Sequence, residues 1–444
     1  MTLRIAVVGA GISGLGAAWL LSRRHDVTLF EREVRPGGHS HTIEVDAPEG
    51  DVPVDTGFIV YNPPAYPNLV ALFAHLGVET APTAMTFSVS LDGGAYEYAG
   101  SARGFFGQPA NLARPGHWRL LADTLRFFRE ARALACESGE EISLGAFLHE
   151  RGFSAEFRDH HILPMAAAIW SAPPSAMLAY PLAAFTRFFA NHGLLQVRGR
   201  PQWRTVVGGS RAYVARLLAD FPGQVRLGAS VTGIERHPRG VTVRLAGGPS
   251  ETFDHCVLAT HADTALGLIG DADGTERDLL SPFRYTENEA VLHTDAAAMP
   301  RRRGLWASWN FIGRRQVGDT APSVTYWMNS LQPLATGQNY FVSLNPMVPL
   351  AARHVIRTMS YAHPLFDQAA MRAQKRLWVL QGRRRTWFCG SYFGAGFHED
   401  GLQAGLAVAE ALGGVERPWQ VAAPSGRIHV LSGATRPVVA EEVV

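Results

Sequence analysis

The N-terminal part of the chain combines short apolar runs with one glycine-rich turn. Residues 5–8 have the pattern of a buried strand, and residues 15–21, which follow the turn, have that of an apolar helix. A second apolar strand pattern covers residues 26–30 and ends at Glu31. Strand, glycine turn, helix and strand in this order predict a βαβ unit.

Strand patterns return in the second half of the chain. Residues 225–234, 241–245 and 253–260 alternate and are rich in β-branched residues, so we expect three strands there. A further strand is predicted at 386–389, where a glycine-rich segment leads into an alanine-rich helix. The chain therefore has the pattern of a mixed α/β protein.

The segments between these strands have a different character. Residues 118–134 place apolar side chains at helical spacing with arginines opposite, which predicts an amphipathic helix. Its aromatic stripe fits ordinary core packing, and a membrane-facing surface is the alternative. Residues 306–310 and 324–329 alternate like sheet strands, and packing alone can explain their tryptophans.

The glycine-rich turn has the spacing of a dinucleotide-binding site. In Gly9-Ala10-Gly11-Ile12-Ser13-Gly14, the first glycine permits a tight turn, the second lets the backbone approach a diphosphate, and the third lets helix and strand pack closely. The diphosphate then lies at the helix N-terminus. Glu31 follows about 20 residues later, where a carboxylate can accept hydrogen bonds from ribose hydroxyls.

The composition is that of a globular protein large enough for two domains. Hydrophobic residues make up 47% and charged residues 18% of the 444 positions, and one domain usually has about 100–200 residues. The formal net charge of +2 gives no electrostatic reason to expect nucleic acid. Cys136, Cys256 and Cys389 lie far apart without CxxC spacing, so we expect neither disulfides nor a metal site.

The expected location is the cytoplasm. The first strand begins at Ile5, which leaves no room for a signal peptide, and no apolar run approaches the roughly 20 residues of a transmembrane helix. Peripheral contact with the inner membrane stays open, because it requires only an amphipathic surface.

A second motif follows Glu31. Arg35, Gly37 and Gly38 match the R-x-G-G-R pattern of the flavin-containing amine oxidase and phytoene desaturase superfamily, which the chain resembles. His39 stands where that superfamily usually has arginine, and its imidazole, Ser40, His41 or Thr42 can replace the contact of that arginine with the diphosphate region. The resemblance implies FAD, which we expect to be non-covalent because Cys389 follows a buried-strand pattern.

The resemblance implies further cofactor contacts. It places Gly57, Phe58 and Ile59 beside the flavin ring, Val231 against the adenine, and Ala259 and Thr260 near the diphosphate. The closing segment is similar to G-x-x-E-G-A-x-x-S-G, in which a helix N-terminus points at the flavin and stabilises its negative charge when reduced. The cofactor residues expected from both motifs and this closing segment are Gly9, Gly11, Ile12, Ser13, Gly14, Glu31, Arg32, Gly37, Gly38, His39, Ser40, Thr42, Gly57, Phe58, Ile59, Val231, Ala259, Thr260, Gly390, Ser391, Gly396, Phe397, His398, Glu399, Gly401 and Leu402. Ser391 departs from the pattern, since relatives commonly place an acid there to hold the ribityl chain.

The expected fold class is α/β, with a Rossmann-like FAD-binding domain of the GR2 type and an inserted α+β substrate domain. We assign residues 1–84, 201–280 and 376–415 to the cofactor domain. Residues 85–200 and 281–375 form the substrate domain, whose tryptophan strands would suit a floor over the flavin. Residues 416–444 lose periodicity and are expected to form a C-terminal tail over the surface.

The only lysine in the chain, Lys375, bears on the reaction. Superfamily amine oxidases resemble one another in placing a lysine over flavin N5, whereas Lys375 falls in a helix pattern expected at the surface. Amine oxidation of a small substrate is therefore the less favoured alternative.

Across most of its length the chain is similar to one bacterial family of this superfamily, on residues 55–62, 191–195 and 396–401. Its members are associated with cyclopropane-fatty-acid-synthase-like methyltransferases, and some are implicated in furan fatty acid synthesis. The resemblance implies a desaturase that passes hydride from a methylated unsaturated acyl chain of a (phospho)lipid to flavin N5, with a methyltransferase as candidate partner. The alternatives are a non-redox flavin isomerase or mutase and a non-catalytic FAD-binding partner.

Desaturation also requires a group that accepts a proton. Imidazole suits this role near neutral pH. His398, beside the flavin-directed helix, is the first candidate, and Tyr61, His192 and His161 follow. Each histidine can equally be a hydrogen-bonded structural residue.

Overall fold

A computed structural model describes residues 1–134, 142–197, 199–314 and 322–431. In this part of the chain the strands, in order, are β1 Arg4–Val8, β2 Asp26–Phe30, β3 Thr42–Ala47, β4 Gly50–Asp55, β5 Val60–Tyr61, β6 Thr80–Thr83, β7 Phe87–Leu91, β8 Tyr96–Ala99, β9 Trp203–Val206, β10 Gln224–Arg226, β11 Val231–His237, β12 Gly240–Leu245, β13 Glu251–Phe253, β14 His255–Leu258, β15 Arg284–His293, β16 Trp309–Gly313, β17 Ser323–Trp327, β18 Phe341–Leu344, β19 Val355–Leu365 and β20 Thr386–Phe388.

The helices lie between these strands and at the end of the chain. They are α1 Ile12–Leu21, α2 Pro67–Leu76, α3 Ala102–Phe105, α4 Pro115–Leu134, α5 Leu144–Glu150, α6 Ala155–Phe157, α7 Leu163–Trp170, α8 Pro174–Leu178, α9 Leu182–Asn191, α10 Arg211–Ala219, α11 Ala262–Leu268, α12 Gly274–Leu280, α13 Met328–Leu331, α14 Gln368–Gln374 and α15 His398–Gly413. Within the described residues, no helix combines the length and apolar character that crossing a membrane requires.

A five-stranded parallel sheet forms the centre of the cofactor side of the molecule. Its order is β10-β2-β1-β14-β20, and every pair of neighbours is parallel. The β1 segment Ile-Ala-Val-Val is fully or almost fully buried, as expected of a strand covered on both faces. The sheet confirms the predicted βαβ unit. Its other three strands consist of residues 224–226, 255–258 and 386–388.

Two of the three strands predicted in the second half are each divided in two. Residues 225–234 form β10 in the parallel sheet and β11 in a separate antiparallel sheet of order β11-β12-β13. The chain changes sheet at Gly228, whose φ of +66° is a left-handed conformation that favours glycine. In the same way, residues 253–260 contribute the end of β13 and all of β14.

A seven-stranded mixed sheet forms the other side of the molecule. Its order is β19-β15-β18-β17-β16-β7-β8, and only β16 and β7 pair in parallel. All its strands fall in the predicted substrate segments 85–200 and 281–375. The domain boundaries themselves stay a prediction. Smaller elements, the hairpin β3-β4 and the sheet β5-β9-β6, lie beside the two large sheets.

Helices α1 and α15 pack against each other across very short distances. A β-carbon built on Gly405 would lie 2.1 Å from the carbonyl oxygen of Ser13, and one on Gly16 would lie 2.9 Å from Cδ1 of Leu402. Glycine at these positions therefore lets the two backbones approach. As a result, the N-termini of the first and last helices lie near one another.

The segment after α15, which the sequence predicted as a tail over the surface, makes specific contacts with the rest of the protein. Trp419 stacks on Trp19 at a ring distance of 5.8 Å. The guanidinium of Arg417 donates to Glu410, and that of Arg427 donates to the buried carboxylate of Asp400 at 2.6 Å. Residues 432–444 of the predicted tail lie outside the described residues, as does Cys136.

Candidate active site

One large cleft, with a volume of about 1090 Å³, lies between the two main sheets. Its walls include the carboxyl ends of β1, β2 and β14, the first turns of α1 and α15, and most of β19. In open α/β sheets, ligands bind outside the carboxyl ends of the strands. Several of the sequence motifs therefore meet where the fold favours a ligand.

The glycine-rich turn has the geometry that its spacing predicted. Gly9 has φ +103°, and a β-carbon on Gly14 would lie 1.8 Å from the carbonyl oxygen of Gly9. A β-carbon on Gly11, in contrast, would meet no other described atom within 4 Å. The first and third glycines are thus required by the protein, whereas the second leaves room beside the N-terminus of α1 for a ligand.

The N-terminus of α1 is suited to an anion. Gly11 is its N-cap and offers no side chain to the first-turn N–H groups, and the first turn contains no acidic residue. These N–H groups and the helix dipole favour a phosphate at this position. Gly38 covers the turn closely, because a β-carbon built on it would lie 3.1 Å from Cα of Gly11.

Glu31 lies at the end of β2, on the wall of the cleft. Its carboxylate accepts hydrogen bonds from the backbone N–H groups of Ala10 at 2.7 Å and Glu33 at 3.0 Å. These contacts fix the carboxylate beside the glycine-rich turn. It is therefore positioned to accept further hydrogen bonds from ribose hydroxyls, as its place in the motif predicts.

The N-terminus of α15 forms the opposite wall. Its N-cap is Phe397, and the side chain of Asp400 accepts a hydrogen bond from the Phe397 N–H at 2.8 Å. The packing of α15 on α1 brings both helix N-termini to one cleft. The glycine turn, Glu31 and the α15 N-terminus together fit an elongated anionic dinucleotide such as FAD.

Most of the residues predicted to bind the cofactor line this cleft. They are Gly9, Gly11, Ile12, Ser13, Glu31, Arg32, Gly38, His39, Gly57, Phe58, Ile59, Val231, Ala259, Thr260, Gly390, Ser391, Gly396, Phe397 and His398.

The other predicted cofactor residues lie behind the cleft wall. Gly14, Gly401 and Leu402 belong to the contacts among β1, α1 and α15. Gly37 forms the turn before Gly38, with φ +108°. Their role in this structure is to shape the wall, since small side chains or tight turns are needed at these close approaches.

Three polar residues predicted as cofactor contacts bond to the protein itself. Ser40 Oγ lies 2.9 Å from Nε2 of His398. Thr42 Oγ1 donates to the buried carboxylate of Asp55 at 2.6 Å. The Glu399 carboxylate is fully buried and accepts from the N-terminal N–H groups of α2. These side chains therefore hold segments together around the cleft.

With this geometry established, the family of the chain follows from comparison with known proteins. Residues 12–296 match the family model described as flavin-containing amine oxidoreductase. The chain belongs to this family. The predictions of the superfamily, of the α/β fold class and of FAD as cofactor are confirmed.

Curated relatives are similar over part of their length. The chain is 30% identical over 262 residues to a protein of Mycobacterium tuberculosis named as a flavin-containing monoamine oxidase, AofH, with coverage of 56% of this chain and 55% of the relative. It is 28% identical over 368 residues to the hydroxyneurosporene desaturase of Rubrivivax gelatinosus, covering 71% and 61% respectively. The chain thus spans little more than half the length of these relatives.

Solved structures share the fold over nearly the whole chain. One named as a protoporphyrinogen oxidase from Exiguobacterium sp. 255-15 has a TM-score of 0.67 at 14% identity and covers 93% of this chain and 99% of its own. The CLA-producing fatty acid isomerase from P. acnes has a TM-score of 0.65 at 16% identity, with coverage of 92% and 97%. At such identities the likeness concerns the fold alone.

Lys375 is unlike the catalytic lysine that the family resemblance implies for amine oxidases. It follows α14 as the C-cap residue, is exposed, and does not line the cleft. This confirms the expected surface position. Cys256 and Cys389 are buried and lie outside the cleft wall, and the non-covalent binding of FAD stays a prediction.

His398, the first catalytic candidate, lies at the cleft but its Nε2 is already engaged. This atom is 2.9 Å from Ser40 Oγ and 3.1 Å from the Tyr213 hydroxyl. The ring stacks on Phe58 at 3.8 Å, and burial lowers its pKa to about 3. These contacts favour a neutral His398 ring that helps to hold the cleft wall in place on the side where the cofactor is expected.

His192 has a different environment, at the end of α9. Its Nδ1 lies 2.9 Å from the Phe188 carbonyl oxygen, which fixes the proton on Nδ1. Nε2 is buried and has no hydrogen-bond partner among the described residues. Burial lowers the pKa of His192 to about 3. His192 thus lines the cleft as a neutral ring whose unprotonated Nε2 is buried.

Tyr61 and His161 do not reach the cleft. Tyr61 is 2% exposed and packs on Phe73 at a ring distance of 5.5 Å, whereas its neighbour Val60 lines the cleft. His161 bonds through Nδ1 to the Tyr98 hydroxyl at 2.9 Å, away from the cleft wall. The structure therefore assigns both residues to packing, because each side chain points into a core.

Residues 357–364 of β19 are the main cleft residues that sequence reasoning missed. Tyr361 and His363 are two positions apart on β19 and both line the cleft. Their rings lie 5.2 and 5.6 Å from the ring of His39. Burial, with His363 and His261 nearby, lowers the pKa of His39 well below its usual value. His39 thus places a neutral ring where the resemblance described from the sequence implies an arginine.

A second group of cleft residues is the aromatic patch, which we define as Trp170, His192, Trp203, Trp309, Tyr326 and Phe397. It is continuous with the aliphatic cleft residues Ile59, Val60 and Leu344. The sequence predicted His192 as a catalytic candidate and Phe397 as a cofactor contact, and its strand patterns at 306–310 and 324–329 include Trp309 and Tyr326. It did not predict that these residues form one patch with Trp203.

Proposed function

We propose that this protein is an FAD-dependent desaturase that removes two hydrogens from a methylated unsaturated fatty acyl chain of a (phospho)lipid. The observation that carries the proposal is the chemistry of the aromatic patch. Its buried polar atoms without a hydrogen-bond partner among the described residues are one acceptor, Nε2 of His192, and the indole N–H groups of Trp170 and Trp309. Its six residues include no lysine or carboxylate. A long apolar substrate suits such a wall, since burying its hydrocarbon surface is favourable.

The charged residues of the cleft lie elsewhere. Its carboxylates among the described lining residues are Glu31, Glu33, Asp263 and Glu287, which lie after β2, on α11 and on β15. An ammonium substrate placed in the aromatic patch would have to leave water without a carboxylate partner, which is costly. Oxidation of a small amine is therefore the weaker alternative, although a curated relative has a monoamine oxidase name.

FAD, when bound, supplies the hydride acceptor that the reaction requires. The protein must hold the acyl chain against it, exclude water and accept one proton. As the first carbon loses hydride with its bonding pair, the neighbouring carbon loses a proton, and the electrons of that C–H bond form the new double bond. The substrate is oxidised by two electrons and FAD is reduced by two.

His192 is the proposed proton acceptor. Its Nδ1–H donates to the Phe188 carbonyl, which both fixes the tautomer and stabilises the ring once Nε2 is protonated. Stacking on Phe188 at 3.9 Å holds the ring in place. His398 lacks this freedom, because Ser40 and Tyr213 contact its Nε2.

The relative named hydroxyneurosporene desaturase supports removal of hydrogen from carbon as the reaction class. The methylated lipid substrate and a methyltransferase partner rest on the resemblance described from the sequence.

Anaerobic mixing with a phospholipid that carries a methylated unsaturated acyl chain tests both parts. We expect bleaching of the flavin absorption band together with a new diene in the lipid. Product without lasting bleaching would instead indicate an isomerase or mutase, and no turnover would favour a non-catalytic partner of a methyltransferase. A matched reaction with a small primary amine should leave the band unchanged.

A further inference from the structure

Helix α4 and the segment before it, residues 106–112, carry an exposed apolar surface that the proposed reaction does not use. Phe106, Leu112, Trp118 and Leu125, which we call the docking surface, are 38%, 51%, 46% and 50% exposed. Across the described residues, Phe106 and Trp118 are the only phenylalanine and tryptophan among the exposed large hydrophobic side chains. Single exposed leucines are ordinary, but a cluster with both exposed aromatic rings indicates a binding surface.

The docking surface is continuous and held in shape. The rings of Phe106 and Trp118 lie 5.6 Å apart, and the Trp118 indole N–H donates to the Leu112 carbonyl at 3.0 Å. Leu125 follows Trp118 by seven residues, or about two helical turns, so both lie on the same face of α4. The opposite face is buried through Leu120, Phe127 and Ala131 among others. α4 is thus packed on one side and exposes Trp118 and Leu125 on the other.

The charges around this surface are mainly positive. From Tyr98 to Leu134 the chain contains two acidic residues, Asp123 and Glu130, and six arginines, Arg103, Arg114, Arg119, Arg126, Arg129 and Arg132. Of the arginines at its edges, Arg119 pairs with Glu156. Arg103 and Arg129 are exposed and make no ion pair within the described residues. Apolar side chains bordered by free arginines match the interface of an anionic membrane.

We propose that the docking surface binds the protein to an anionic lipid bilayer, with α4 lying parallel to the membrane plane and Phe106, Leu112, Trp118 and Leu125 inserted among the acyl chains. A 20-residue helix extends about 30 Å, which is enough to present the whole surface at once. This inference goes beyond the proposed reaction and does not depend on it.

The position of α4 links the membrane to the cleft. α4 packs against α9, and α9 ends beside His192 in the aromatic patch. Binding through α4 would therefore bring the helical wall of the cleft to the bilayer surface. A protein that acts on acyl chains of membrane lipids gains from this arrangement, because its substrate need not cross bulk water.

Flotation with lipid vesicles tests the proposal on the full-length, FAD-loaded protein. We expect recovery with vesicles of equal phosphatidylcholine and phosphatidylglycerol, and much less with phosphatidylcholine alone. Raising NaCl from about 50 to about 300 mM should weaken binding, because salt screens the arginines. Each large side chain replaced by serine should lower the partition coefficient roughly tenfold, so Phe106→Ser/Trp118→Ser should reduce it about 100-fold.

Two matched variants separate insertion from general effects. Val379→Ser changes a side chain that is 40% exposed in the predicted cofactor domain and should leave flotation unchanged. Arg103→Glu/Arg129→Glu should abolish the preference for phosphatidylglycerol. Circular dichroism and FAD content should match the wild type in every variant.

Wild-type protein that stays in the soluble fraction with anionic vesicles would overturn the proposal, as would equal binding by Phe106→Ser/Trp118→Ser. A smaller molar mass of this variant in light scattering would instead assign the surface to contact with a second copy. Failure of the desaturation assay alongside normal flotation would reject the proposed reaction and leave this inference intact.

Discussion

Two glycines of the opening turn should respond in opposite ways to substitution. A β-carbon on Gly11 would meet no other described atom within 4 Å, and the backbone there has φ −73° and ψ 178°, which any residue adopts. Gly11→Ala should therefore leave the stability of the FAD-free protein unchanged or raise it by up to about 1 kcal/mol. On Gly14, the same methyl group would lie 1.8 Å from the Gly9 carbonyl oxygen, so Gly14→Ala should destabilise the fold by about 1–3 kcal/mol or more.

The affinity for FAD should be lowered more by Gly11→Ala than by Gly14→Ala. The methyl group of Gly11→Ala projects into the space beside the α1 N-terminus, where the diphosphate is expected to contact backbone N–H groups. Displacing that contact by an overpacked methyl costs about 1–3 kcal/mol, which is roughly a 5- to 150-fold rise in Kd. Gly11→Val adds two more carbons and should yield protein without yellow colour.

Urea unfolding of FAD-free protein and fluorescence titration with FAD measure the two effects separately. We expect Gly11→Ala to bind FAD more weakly while its free energy of unfolding does not fall. An unaltered Kd in Gly11→Ala would show that the diphosphate does not approach this turn. Wild-type stability in Gly14→Ala would show that the contact between α1 and β1 is looser than described.

Three further predictions concern buried polar groups. His192→Gln should slow flavin reduction by substrate about 100-fold or more while FAD affinity stays constant, and equal single-turnover rates would remove His192 from proton transfer. Burial lowers the pKa of His192 to about 3 and that of His161 to about 4, whereas an unfolded histidine has a pKa of about 6.5. Below pH 6.5 the unfolded chain therefore binds more protons at these two histidines than the folded protein does. The free energy of unfolding in urea should therefore be highest above pH 6.5 and fall toward pH 4 by up to about 1.4 kcal/mol per pH unit for each histidine. His161→Phe should make this fall less steep. An unchanged pH dependence in this variant would contradict a buried, neutral His161. Arg427→Met leaves the buried carboxylate of Asp400 without its partner and should cost about 3–5 kcal/mol in the same assay, whereas Asp400→Asn in that background should recover part of the loss.

The parts of the site that the sequence predicted depend on local backbone geometry. The glycine turn, Glu31 and the α15 N-terminus each follow from a few consecutive residues whose conformation is set by glycine or by helix capping. Their meeting in one cleft follows from the parallel sheet and from the short distances between α1 and α15. Such features can be inferred before any tertiary contact is known.

The rest of the cleft depends on contacts distant in sequence. Residues 357–364 reach it because β19 pairs with β15, and no motif within the strand indicates that partner. Tyr61 illustrates the limit for single side chains. In a strand, neighbouring side chains face opposite sides, so Val60 lines the cleft and Tyr61 enters the core. A sequence pattern alone does not state which of the two faces is occupied.

The basicity of His192 constrains the proposed reaction further. A ring with a pKa of about 3 is too weak a base to remove a proton from an unactivated hydrocarbon. It can accept a proton once hydride departure has made the neighbouring C–H bond acidic. Hydride loss must therefore lead, and the carbon that loses it must tolerate positive charge, as a methyl-substituted carbon beside a double bond does. If His192 accepts the proton only after hydride loss, as proposed, an unsaturated, branched chain should be oxidised faster than a saturated one.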